Sequence, residues 1–268
     1  METSPTKWRG FSVRRLYIVD IKKQKKAFII IPIALFVALF LYLEFNYTST
    51  VFSNQDDPRA LNAGNTEHSS VALTFNISHG DEQVIPILER LKKEDVQATF
   101  FVSGEWAERH PDILEKIAED NHEIGMLGYQ YQSYVEQEID EVRSDLNKAK
   151  DIFSKLGYED TYLLRAPNGH LNEEVISLAE SQGLKVIHWS INPNDWQNPG
   201  TEKISNHILK NISNGSIILL HASDSVKQTE KALETIIPEI KGDKKFLTIS
   251  ELITQAETNQ EELQSKKK

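Results

Sequence analysis

Four short clusters of polar residues follow apolar runs in this chain: Asn76–Asp81, Arg165–His170, Asn192–Trp196 and His221–Asp224. His221 comes directly after Ile218-Leu219-Leu220, so its imidazole emerges where a buried strand ends. Imidazole is the side chain best matched to proton transfer near neutral pH. Asp195 is a carboxylate able to orient that ring and hold its proton. The bland alternative for His221 is a capping or packing histidine. Arg165-Ala166-Pro167-Asn168-Gly169 sets a guanidinium just before a stiff Pro–Gly corner, and here the alternative is a structural arginine. Trp189 and Trp196 suit either the apolar wall of a sugar site or simple core packing. His79 stands in the first cluster and reads as a rim residue rather than a lone metal ligand.

These clusters need a scaffold that brings them to one rim. Val71–Phe75 is a short apolar run broken by Ser78, His79, Gly80 and Asp81, as a strand of a parallel sheet would be. Glu82–Lys93 then carries Val84, Ile85, Leu88 and Leu91 at helical spacing. The alternation continues with strands expected at Ala98–Val102, His122–Met126, Tyr162–Leu164, Val186–Trp189, Ile217–Leu220 and Phe246–Ile249. Helices are expected at Glu105–Glu119, Val135–Leu156, Glu173–Gln182, Glu202–Asn211 and Val226–Ile240. Strand–helix alternation sustained this long implies an α/β fold with a parallel sheet, open or closed into a barrel. In such folds reacting groups gather at the C-terminal ends of the strands, where the four clusters fall.

Outside this unit the chain changes character. Residues 27–45, AFIIIPIALFVALFLYLEF, form an apolar stretch long enough to cross a bilayer. Arg14, Arg15, Lys22, Lys23, Lys25 and Lys26 precede it, which predicts a cytoplasmic N-terminus and an extracytoplasmic body at the cell membrane. Its length, without a clean small-x-small site after it, favours an uncleaved single-pass anchor over a signal peptide. The expected organisation is a basic segment at 1–26, a transmembrane helix at 27–45, a polar linker at 46–69, the α/β domain at 70–253 and a charged tail at 254–268. Of the 268 residues none is cysteine, so disulfide and thiolate chemistry are excluded. Residues 46–268 carry 22 basic and 37 acidic side chains, which argues against nonspecific nucleic-acid binding.

The segments TFNIS, ATFFVSGEWAERHP, HEIGMLGY, LRAPNG, NDW and LLHAS occur in the order found in the NodB-type polysaccharide deacetylases. The chain resembles that family over roughly residues 70–253, and most of all its membrane-anchored, sporulation-associated branch. The resemblance implies a distorted (β/α)7 barrel that removes acetyl groups from N-acetylated amino sugars of cell-wall glycan. In the family a metal-bound water attacks the amide, with an Asp as base and a His as acid. The matching positions imply that His221 is the acid, Asp195 its orienting partner and Arg165 the residue that steadies the base. Trp196, Pro167 and Asn168 would line the substrate groove.

The departures lie in the other half of the pattern. Asn76 stands at the base position, and an amide has no basic lone pair for proton abstraction. Ile77 and Leu127 fall where the family supplies a carboxylate and an imidazole to zinc, and Tyr131 where it supplies a second imidazole. Two hydrocarbons and a phenol are poor zinc donors, so no metal cofactor is expected. Two functions remain open: a glycan deacetylase or related hydrolase with altered chemistry, or a catalytically silent domain that binds wall glycan or a partner.

Overall fold

Strand β1 (Ser70–Ile77) is buried along its whole length, which only a strand covered on both faces and paired on both edges achieves. In the computed structural model, which describes residues 59–256, it pairs in parallel with β2 (Thr99–Val102) and with β6 (Ile217–His221). From β2 the sheet continues through β3 (Glu123–Met126), β4 (Leu163–Leu164) and β5 (Lys185–Val186). A two-residue β7 (Lys245–Phe246) joins the start of β1. Every ladder is parallel, giving a curled seven-stranded α/β sheet. Past β5 the chain leans back toward β6, where Ile191 bridges Ile218.

The sheet separates two apolar layers. Outside it, Val71, Leu73, Phe75 and Ile77 pack against the helices. Inside the curl, Ala72, Phe101, Leu127, Leu163 and Ile187 form a smaller cluster. This follows from the period of two along a strand, which sends odd and even positions of β1 to opposite faces.

Helix α1 (Val84–Lys93) buries Val84, Ile87, Leu88 and Leu91 on one stripe. The single helix expected over 105–119 is two, α2 (Gly104–Arg109) and α3 (Pro111–Glu119). Pro111 at the first turn of α3 has no N–H to extend α2, so the chain turns at His110. Helix α4 (Ile139–Lys155) starts four residues later than expected, at a capping box formed by Glu138 and Glu141. The residues before it are held otherwise: Asp145 accepts from the Tyr129 and Gln130 amides and from the Tyr134 hydroxyl. Helices α5 (Glu173–Ser181), α6 (Thr201–Asn211) and α7 (Thr229–Lys241) complete the outer layer.

Two expected strands end three residues early. The fifth ends at Val186, and His188 and Trp189 beyond it stack on each other with ring centroids 3.8 Å apart. The seventh ends at Phe246, because Ile249 already opens a helix whose Ile249 and Ser250 amides donate to the Glu123 carboxylate. Residues 59–69, expected to be linker, run along the body. Leu61 donates to Val186 O at 2.8 Å and accepts from His188 N at 2.7 Å, and Gly64 donates to Gly215 O. No helix among the described residues is long and apolar enough to cross a membrane. The basic segment 1–26 and the apolar segment 27–45 lie outside those residues.

Candidate functional site

Register places the first pair of site residues. Asn76 on β1 is the direct partner of His221 on β6, so both side chains leave the sheet on the same face at the strands' C-terminal ends. The His221 Nδ1 lies 2.7 Å from Asp195 Oδ1, and the His221 amide donates to Asp195 Oδ2 at 2.8 Å. Thr229 Oγ1 donates to the same Oδ2 at 2.7 Å. Asp195, in a short 3₁₀ turn and wholly buried, is therefore met by three donor groups. A carboxylate at Nδ1 requires the proton there, which leaves Nε2 as the ring nitrogen open to a ligand.

Arg165 follows β4 and is wholly buried. One terminal nitrogen, Nη1, donates to Thr74 Oγ1 at 2.9 Å and to Asn76 Oδ1 at 3.0 Å. The other, Nη2, donates to His188 O at 3.1 Å, and Nε reaches Ile187 O at 3.4 Å. Its guanidinium also lies 4.0 Å over the Phe101 ring. Burial lowers it to about 9, with a nearby Tyr131 working in the opposite direction. Among the described residues no carboxylate pairs with it; its partners are neutral hydroxyl, amide and carbonyl oxygens. Arg165 thus meets Asn76, the residue at the position implied for the base, at 3.0 Å.

Asn76, His221, Tyr131, Asn168 and Trp196 line one cavity of about 480 Å³. Trp196 is 52% exposed on its rim. Trp189 forms another wall and closes against Gly169, whose φ of +72° and missing Cβ permit the approach. Pro167 is buried and does not line the cavity. The sequence reading also passed over Ser223, Ser225 and His170, which do line it. His170 and Ser223 lie inside the polar clusters that end the apolar runs and Ser225 directly follows one, so position along the chain was the available signal. His79 is a rim residue, its ring nitrogens 3.2 and 3.1 Å from the Ser78 and Ser225 hydroxyls.

A divalent metal does not fit the residues at the positions implied for it. The Ile77 side chain is wholly buried in the helix-side core, and Leu127 in the cluster inside the sheet. Tyr131 has its phenol raised above the ordinary value by burial, against hydrogen bonds to the Asn168 backbone and the Asn76 side chain. A phenol held neutral is no substitute for imidazole. Among the described residues no three His, Cys, Asp or Glu side chains group to hold a metal. What the arrangement offers is an oriented His–Asp pair and an aromatic rim, facing an amide where a general base would be needed.

The sequence model of the polysaccharide deacetylase family matches residues 63–187. The chain is 33% identical over 189 residues to a peptidoglycan-N-acetylglucosamine deacetylase of Bacillus cereus, covering 68% of this chain and 87% of that one. It is 31% identical over 184 residues to a peptidoglycan-N-acetylglucosamine deacetylase of Listeria monocytogenes, covering 68% of this chain and 38% of that longer one. Among solved structures, a peptidoglycan N-acetylglucosamine deacetylase superposes with a TM-score of 0.70 at 31% identity, over 73% of this chain and 92% of that one. A protein of Bacillus anthracis described as a pseudoenzyme of carbohydrate esterase family 4 superposes at 0.69 with 29% identity, over 73% and 69%. The motifs, the curled parallel sheet and these likenesses together make the chain a member of the polysaccharide deacetylase family.

Proposed function

We propose that the domain binds N-acetylated glycan of the cell wall at the rim of its parallel sheet, without the family's metal-dependent hydrolysis of the acetamide C–N bond. One observation carries this reading: the cavity keeps His221, Asp195 and Trp196, yet Asn76, Ile77, Leu127 and Tyr131 supply neither a base nor the metal's donors. Binding needs the former set and hydrolysis both. The names of relatives that act on peptidoglycan support the choice of ligand, and a pseudoenzyme of the same fold supports the loss of chemistry. The wider reading is a distorted (β/α)7 barrel held outside the cell membrane by the apolar segment 27–45, nearest the sporulation-associated branch.

Acetate release from N-acetylglucosamine oligomers, measured with and without added zinc, is the direct test, and no turnover is expected in either case. Metal-stimulated release abolished by His221→Ala would overturn the proposal. In sedimentation with peptidoglycan, Trp196→Ala should reduce the bound fraction severalfold, and undiminished binding would remove the rim from the account. The His221–Asp195 hydrogen bond of 2.7 Å favours a second reading, a hydrolase of altered chemistry, which that turnover assay would reveal.

A further inference from the structure

We propose that the opposite end of the sheet holds a second binding site, for a small peptide-like molecule that brings a carbonyl oxygen and a positive charge. It is independent of the glycan reading above. A cavity of about 330 Å³ opens where β3 and β4 begin, with His122, Ile124, Tyr158, Asp160, Tyr162 and Leu163 among its lining residues. The rim cavity lies where the parallel strands end, so the length of the sheet separates the two. Strands β3 and β4 pair at Met126 and Leu164, the far end of both strands from this second cavity.

His122 supplies the first ground. It is 7% exposed, and its Nδ1 accepts from the Ala98 amide at 3.2 Å, on the β2 side. An accepting Nδ1 leaves the proton on Nε2, which is buried with no hydrogen-bond partner among the described residues. Burial lowers the imidazole to about 4, so at neutral pH the wall presents an uncharged N–H donor. A buried donor left unpaired costs stability, which an acceptor oxygen on a ligand would offset.

Charge is the second ground. The charged lining residues are the carboxylates Glu123 and Asp160, and no Lys or Arg joins them. Glu123 is committed to Thr99 Oγ1 and to the Ile249 and Ser250 amides, whereas Asp160 is exposed. Burial and the Glu115 and Glu119 carboxylates together push the Tyr158 phenol up, so those charges reach the cavity. Lys116, which acts on His122, is held by Asp120 at 3.1 Å. A ligand carboxylate would meet this negative field; an amide carbonyl accepts without charge, and an ammonium suits Asp160. Tyr162, 41% exposed and tied through its hydroxyl to Ser250 Oγ at 2.6 Å, offers ring surface for an aliphatic chain joining the two groups.

Nuclear magnetic resonance on the full chain with isotope-labelled histidine separates these parts. The probes are Nα-acetyl-lysinamide, the α-amide of Nα-acetyl-glutamic acid, and cadaverine, a cation without a carbonyl. The His122 Nε2–H signal is the one lost in His122→Asn. Acetyl-lysinamide should move it downfield and saturate, with an affinity at least about tenfold above that of the glutamate amide. Cadaverine should leave it in place. Asp160→Asn, a change at an exposed loop, should narrow the affinity ratio severalfold. A shift at His221 in place of His122 puts the ligand at the rim and overturns the second site, as does a His122 signal that no probe moves. Equal affinities for the lysine and glutamate amides overturn the charge selection. A cadaverine response equal to that of acetyl-lysinamide overturns the role of the carbonyl.

Discussion

Arg165 shows how one residue can tie a site together without touching a ligand. Its nitrogens reach β1 through Thr74 and Asn76, and the segment after β5 through Ile187 and His188. A planar fork with five donors can span both sides at once, and a lysine ammonium cannot. Arg165→Lys should therefore lower stability by about 2 kcal/mol, read from the urea midpoint at unchanged slope, because acceptors on one side are left without a donor. In the sequence, Arg165 stood out before its Pro–Gly corner, and the resemblance set it against the base position held by Asn76. It did not reveal Thr74 as the other half of the grip, since a threonine inside a strand looks like any other. Thr74 passes the bond on to Ile218 O at 2.7 Å, linking β1 to β6 beneath the cavity.

At the scale of elements, the residue just before β3 is a buried histidine that the rim cavity does not use. His122 accepts from the Ala98 amide through Nδ1 at 3.2 Å and rests against Phe100. Burial lowers it from 6.5 to about 4, with Asp120 opposing and Lys116 adding to the effect. Between those values the unfolded chain takes up a proton that the native one refuses. Its contribution to stability is therefore complete above about pH 6.5 and is lost as pH falls toward 4, by roughly 3 kcal/mol. His122→Asn keeps an acceptor for Ala98 N and removes the titration. The difference between the urea midpoints of the two proteins should shift across that window and level off above it; a constant difference would show that His122 does not set this acid sensitivity. Element positions were legible where periodicity was strong, as in α1 and β1. The break between α2 and α3 hangs on Pro111 alone, and the late start of α4 on Asp145 gathering the preceding loop, which no local pattern announces.

For the molecule as a whole, the unexpected part is the strap at residues 59–69. It pairs with Val186, His188 and Gly215, and His188 is also a partner of Arg165. A chain beginning at Ser70 should be less stable than one beginning at Arg59 by about 3 kcal/mol, from lost backbone hydrogen bonds and Leu61 packing. It should also bind glycan more weakly, both measurable on the purified domain. Composition hid this role, because a polar stretch poor in periodicity looks the same whether it is free or bonded through its backbone. The sequence by itself determined the alternation of strands and helices, the strand ends where the polar clusters fall, and the residue types, Asn76, Ile77, Leu127 and Tyr131, at the positions that the resemblance assigns to a base and metal donors. Those are properties of side-chain chemistry and local spacing. Only the tertiary structure decided that Asn76 stands beside His221, that Arg165 is buried over neutral acceptors, and that Ile77 turns outward while Leu127 turns inward. Such outcomes depend on strand register and on contacts between residues some 90 to 145 positions apart in the chain, and neither is encoded in any short stretch of it.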